Sequence, residues 1–192
     1  YQSALNASKR ITNSNISIMD GFSASVGLGL IAMRAAELAK EGKKHEDIIG
    51  ALPEIIKTTN IYLAIKDMSY IVKGGRLPKW VKKIADFLHI RPILTTKEDG
   101  TMGVAGVLKG TQNLSEKLAA FVSGKLDGDA AYTISIGHAN SPKDGEKLRE
   151  LLQMEHPNLK SIYLMEMGCA LGVHAGPGSL TVGVLKKNDV HS

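Results

Sequence analysis

Arg91-Pro92-Ile93-Leu94-Thr95-Thr96-Lys97-Glu98-Asp99-Gly100-Thr101-Met102-Gly103-Val104-Ala105-Gly106-Val107-Leu108 reads as two strands folded back on one another. Both runs are short and apolar, and the Asp-Gly between them suits a hairpin turn, because both residues tolerate positive φ. A hairpin means antiparallel pairing. Outward from it, strands are expected at Ile61 to Ile65, Ala131 to Ile136, Ser161 to Met167 and Ser179 to Leu185. Helical spacing lies between them at Met68 to Val72, Pro78 to Leu88, Gln112 to Leu126 and after Pro142, which opens a helix at its first turn. Antiparallel and helix-separated strands together predict a mixed sheet covered by helices.

The N-terminal part has a different rhythm. A helix tail runs to about Lys9, a strand is expected from Asn15 to Met19 ending at Asp20, and helices run from Ser25 to Glu41 and from His45 to Thr58, with Gly42 as the stop between them. This alternation reads as the remainder of a parallel α/β domain at residues 1–59, followed by an α/β domain with the mixed sheet at residues 60–192.

The 192 residues are 43% hydrophobic and 22% charged, a composition for a folded core. Twenty-four Lys and Arg against 19 Asp and Glu give +5. These cations are spread through helices without interleaved aromatics, which disfavours nucleic acid and fits an anionic ligand, an acidic partner or transient contact with a lipid surface. Cys169 is the single cysteine, so an internal disulfide is excluded and a reducing, cytoplasmic setting is expected, with the thiol buried as a small apolar group. No apolar run approaches the roughly 20 residues of a membrane-spanning helix.

Two glycine-flanked cations stand out. Gly172-Val173-His174-Ala175-Gly176-Pro177-Gly178 sets a histidine in an expected loop at the end of the sheet, where backbone can approach an anion. Met68-Ser69-Tyr70-Ile71-Val72-Lys73-Gly74-Gly75-Arg76 is a helix stopped by glycines, with a guanidinium held at the corner for a carboxylate or phosphate. A tight turn and a solvated helix-end charge explain the same residues equally well.

Other chemistries find less. The histidines His45, His89, His138, His156, His174 and His191 are isolated, so zinc is not expected. Ser179 or Ser135 with His174 lacks a nucleophile elbow and an orienting acid. Gly27-Leu28-Gly29 lies inside a helix, with Ala32 where a dinucleotide loop needs glycine, and reads as close helix packing. His138 reads either as a cleft residue or as a loop histidine held by Asn140 and Ser141. Met102, Met165, Met167 and Leu171 read as core or as the wall of an acyl tunnel.

Taken in order, Tyr70 to Arg76, Pro78 to Leu88, Arg91-Pro92-Ile93-Leu94, Asp99-Gly100 and His174-Ala175-Gly176-Pro177-Gly178 resemble the DegV family, bacterial fatty-acid-binding proteins that serve as acyl carriers of fatty acid kinase. Asp20 followed by Gly27-Leu28-Gly29-Leu30 matches too. The opening Tyr1-Gln2-Ser3-Ala4 resembles the end of the family's Leu-Ser-Gly-Thr-Tyr-Gln-Ser-Ala motif, so the preceding segment, with its Thr-Ser-x-Pro hydroxyls, is expected to be missing. Arg91 stands where lysine is usual, and Lys109-Gly110-Thr111 where the family often has arginine.

The resemblance implies a long-chain fatty acid as ligand, no other cofactor and no metal. It implies that His174, Arg76 and Gly75 hold the carboxylate, that Lys109 faces the kinase, and that the carrier has no catalytic residue of its own. Ile65, Ile93, Ile134, Met165 and Leu171 are the expected acyl-chain pocket. The alternatives are a phosphotransferase or hydrolase using His174, and a dimeric regulatory module.

Overall fold

A computed structural model of the chain describes residues 1–110, 112–128 and 130–187. Thr111 and His191 lie outside the described residues. The elements run α1 (Gln2–Ser8), α2 (Ser25–Lys40), α3 (His45–Lys57), β1 (Thr59–Ala64), α4 (Met68–Lys73), α5 (Lys79–Phe87), β2 (Ile90–Thr96) and β3 (Met102–Lys109). They continue with α6 (Leu114–Ser123), β4 (Ala131–His138), α7 (Pro142–Glu155), β5 (Ser161–Glu166), α8 (Cys169–Ala175) and β6 (Leu180–Lys187).

The hairpin forms as the sequence predicts. Lys97 N–H donates to the Thr101 carbonyl at 2.8 Å, Gly100 takes φ +78°, and β2 pairs antiparallel with β3. The six strands make one sheet in the order β3-β2-β1-β6-β4-β5, antiparallel except for β4 beside β5, so the mixed sheet covered by helices is borne out.

Strand alternation divides the core. Tyr62, Ile134, Ile136, Val182 and Val184 turn to the face under α6 and α7, where Leu118, Val122, Leu148 and Leu152 bury against them. Ile61, Leu63, Leu94 and Thr181 turn to the other face. There Ile65, Met68, Ile71 and Leu94 form a second cluster under α4 and α5.

Helix α2 lies on this second face against β1, β4 and β6, and α3 packs on α2 and β1. The approach of α2 depends on glycine: a Cβ on Gly183 would sit 3.1 Å from Gly27 N, and one on Gly27 would sit 3.3 Å from Ile61 Cβ. Close packing is therefore the role of Gly27, while Gly29 faces open space.

Three expectations are corrected. Asn15 to Met19 is not a strand: it has no ladder partner among the described residues, and an unpaired extended segment leaves its backbone groups to water. The histidine segment is not a loop, because Cys169–Ala175 winds into α8. One glycine, Gly172, costs a helix only about 1 kcal/mol, and Gly176 at φ +76° supplies the stop. Cys169, at the start of α8, is exposed rather than buried.

Candidate functional site

The site grows from the packing of α4 against α8. Asp67 begins α4 by accepting a hydrogen bond from Ser69 N–H at 2.8 Å, and this bond holds the Asp67 carboxyl below the usual carboxylate range. The helix ends in a Schellman turn: Gly75 takes φ +71°, Arg76 N–H donates to the Ile71 carbonyl and Gly75 N–H to the Val72 carbonyl, each at 3.0 Å. Arg76 is thus delivered to a fixed corner, where its Nη1 donates to the Gly74 carbonyl at 2.9 Å.

Glycine on each helix receives a ring from the other. The His174 imidazole lies on Gly74, where a Cβ would come 2.9 Å from Cε1, and the Tyr70 ring lies on Gly176, where a Cβ would come 2.6 Å from Cγ. Beside this crossing is a cavity of about 320 Å³ between the sheet, α4, α8 and the start of α2. Ile61, Leu63, Ile71, Leu94, Met167 and Leu171 give it apolar walls; Arg76, His174, Thr95, Thr96 and Thr181 add polar groups. His174 Nδ1 and Thr181 Oγ1 are buried there without a hydrogen-bond partner.

The structure brings together His174, Arg76 and Leu171 in the cavity wall, with Gly75 as the hinge behind Arg76. Met167 and Met102, read as core or wall, line it as well. Ile65 does not line it and packs behind, in the cluster with Ile71 and Leu94. Ile93 and Ile134 belong to the opposite face under α6 and α7, because each sits one position out of phase with the cavity side of its strand. Met165 is exposed on the edge strand β5. Lys109 is exposed at the end of β3, its carbonyl accepting from Lys117 Nζ, and it is not part of the cavity wall. Ile61 and Leu63 line the cavity as alternate residues of the Ile61 to Ile65 strand, whereas Leu94 and Thr181 were missed by sequence reading; Thr181 alone left a signal, a hydroxyl inside an apolar strand.

Hydrolytic chemistry finds little support in this geometry. His174 Nδ1 has no acid to orient it, and Ser179 Oγ is engaged with the Ala175 carbonyl at 2.7 Å and Lys66 N–H at 3.2 Å. His138 is buried at the end of β4 with Nδ1 accepting from Ser141 N–H at 3.4 Å, away from the cavity wall. Among the described residues no three His, Cys, Asp or Glu group as metal ligands would.

The family model described as "Uncharacterised protein, DegV family" matches residues 1–187. The chain belongs to the DegV family. It is 32% identical over 160 residues to a DegV domain-containing protein of Clostridium perfringens, covering 83% of this chain and 56% of that one. A DegV domain-containing protein of Streptococcus pyogenes is 28% identical over 192 residues, covering 98% and 66%. The chain therefore spans a little over half to two thirds of the length of these relatives. Its DegV fold superposes on a fatty-acid-binding DegV of Bacillus subtilis with a TM-score of 0.81 at 25% identity, covering 97% of this chain and 66% of that one. It also superposes on a DegV family protein of Eubacterium eligens loaded with heptadecanoic acid, with a TM-score of 0.82 at 20% identity and covering 97% and 66%. No helix among the described residues of this DegV chain is long and apolar enough to cross a membrane.

Proposed function

We propose that this DegV-family protein binds a long-chain fatty acid, buries its acyl chain in the cavity beneath α4 and α8, and presents the carboxylate to a fatty acid kinase for phosphorylation. The observation that carries this reading is the cavity itself: Ile61, Leu63, Leu94 and Leu171 give it apolar walls, and His174 and Arg76 line it as well. Each buried methylene contributes about 0.8 kcal/mol, so about ten would supply roughly 8 kcal/mol, a micromolar scale before the cost of association. The carboxylate must be paired, since burying it alone is costly.

In this reading Arg76 gives positive charge at the mouth, Lys109 meets the kinase, and the protein is a carrier without catalytic residues. We place it in the cytoplasm, where the kinase and ATP are, and assign residues 60–192 to the lipid-binding domain, with residues 1–59 linked to the family's N-terminal domain. Transient contact with a lipid surface fits α5, whose Trp80, Ile84 and Phe87 recur on one exposed face with Lys79 and Lys83 beside them.

Extraction of the purified protein with organic solvent, followed by mass spectrometry, tests binding; a fatty acid near one per chain is expected. Addition of kinase and ATP should then give acyl phosphate only when all three components are present. Phosphate release or ester cleavage by the protein alone would instead favour an enzyme using His174.

A further inference from the structure

We propose a second ligand site, for a small oxyanion, on the face of the sheet opposite the acyl cavity. Strand alternation sends Asn60 and Tyr62 of β1, Val184 and Lys186 of β6 and Tyr132 of β4 to the face under α6. These strands are neighbours, in the order β1-β6-β4. Together with Lys125, Leu126 and Asp127, which follow α6, these residues line a pocket that shares none of its wall with the acyl cavity. At about 170 Å³ against about 320 Å³ for that cavity, it suits a group of a few atoms and not a second acyl chain.

Tyr62 is the sign of a ligand. It is 9% exposed, and its hydroxyl makes no hydrogen bond among the described residues. Its ring is engaged, meeting Phe121 edge-on with the centroids 5.4 Å apart. The hydroxyl is not among the polar atoms sealed from solvent, so it opens to the pocket whose wall Tyr62 forms. Burial, reinforced by Tyr132, pushes its pKa above the ordinary tyrosine value, so it keeps its proton at neutral pH. Such a donor lacks only an acceptor.

The charges around it favour an anion. Lys186 Nζ pairs with Asp127 at 2.6 Å, and the Tyr132 hydroxyl accepts from Asp127 N–H at 2.9 Å, so the acid is already neutralised and its loop is held. Lys125 has no carboxylate partner among the described residues, and its ammonium stands 5.5 Å from the centre of the Phe121 ring. Tyr62 and Lys125 therefore flank the same ring. A phosphate or carboxylate oxygen would accept from the Tyr62 hydroxyl and meet the unpaired charge of Lys125, with the Asn60 amide also in the wall.

Inorganic phosphate and acetate are the probes, with sodium chloride at equal ionic strength as the control. In protein labelled with carbon-13 at tyrosine Cζ, the Tyr132 signal should shift saturably with phosphate or acetate and not with chloride. The probe that binds more tightly tells a phosphate ester from a carboxylate as the source. Tyr62→Phe keeps the ring on Phe121 and removes the hydroxyl; Lys125→Met keeps the stem and removes the charge. Each should weaken binding about five- to tenfold and leave palmitate affinity unchanged. Because the hydroxyl has no partner, Tyr62→Phe should melt no lower than the wild type, so a lost shift is not a lost fold. Shifts that chloride reproduces, no saturation with either probe, or equal affinity in wild type and both variants would overturn the site.

Discussion

The imidazole of His174 rests on the backbone of Gly74: a Cβ at that glycine would lie 2.9 Å from His174 Cε1 and closer still to Nδ1. The absence of a side chain on α4 is therefore what lets α8 carry its histidine to the cavity wall. The same logic runs in reverse at Gly176, which accepts the Tyr70 ring.

Gly74→Ala and Gly75→Ala should separate position from backbone strain. Gly74 has ordinary helical dihedrals, so alanine there acts through its collision with the ring; palmitate affinity should drop by about an order of magnitude with only a small change in melting temperature. Gly75 sits at φ +71° with open space around it, so alanine there should cost about 1 to 2 kcal/mol of stability and leave affinity nearly intact. Calorimetric melts beside palmitate titrations give both readings. An equal loss of binding in both variants would mean that the α4 terminus matters as backbone and not as a seat for His174.

Leu148→Ala tests the division of the core. Leu148 is fully buried on the face under α7, opposite the cavity. Denaturant unfolding should show a loss of about 2 to 5 kcal/mol, while palmitate affinity per folded molecule is retained. A selective loss of binding would contradict the placement of the cavity on the other face.

Acid should act on the start of α4. The Asp67 carboxyl titrates below its unfolded value because it caps Ser69, so its contribution is present above the ordinary Asp range near 4 and is lost as pH falls through the lower folded value. Asp67→Asn keeps a capping oxygen that does not titrate. Melting temperature between pH 6 and pH 3 should fall less steeply in Asp67→Asn than in the wild type, and parallel curves would remove Asp67 from the acid response.

Trp80 reports on contact with lipid. It is the single tryptophan, 64% exposed on α5, next to Ile84 and to Phe87 at 83%. Its emission should shift to the blue with anionic vesicles, and the shift should shrink in high salt because Lys79 and Lys83 supply the attraction. No shift at any vesicle charge would remove α5 as a lipid-facing surface.

Local chemistry made much of this readable. The Asp99-Gly100 hairpin, the Gly74-Gly75 stop and the apolar run of β1 each depend on near neighbours, and each formed as its residues require. The face of a strand was harder to read. Ile93 and Leu94 are adjacent and apolar, and a register shift in β2 falls between them; only pairing with β3 tells which one meets the cavity. Ile134 lies in a strand buried on both faces, so its pattern carries no direction. The helix α8 was hidden by Gly172 and Gly176, which read locally as loop and are stabilised as a helix by packing on α4. Thr181 and the start of α2 meet only through the fold.

Methyl-resolved NMR during a palmitate titration tests the central claim most directly, because it reads both faces of the sheet at once. The account predicts saturation at one equivalent, with shifts at Leu63, Ile71, Leu94 and Leu171 around the cavity and none at Leu118, Leu148 and Leu152 under α6 and α7. Absence of saturable shifts, or shifts confined to the α6 and α7 face, would contradict it.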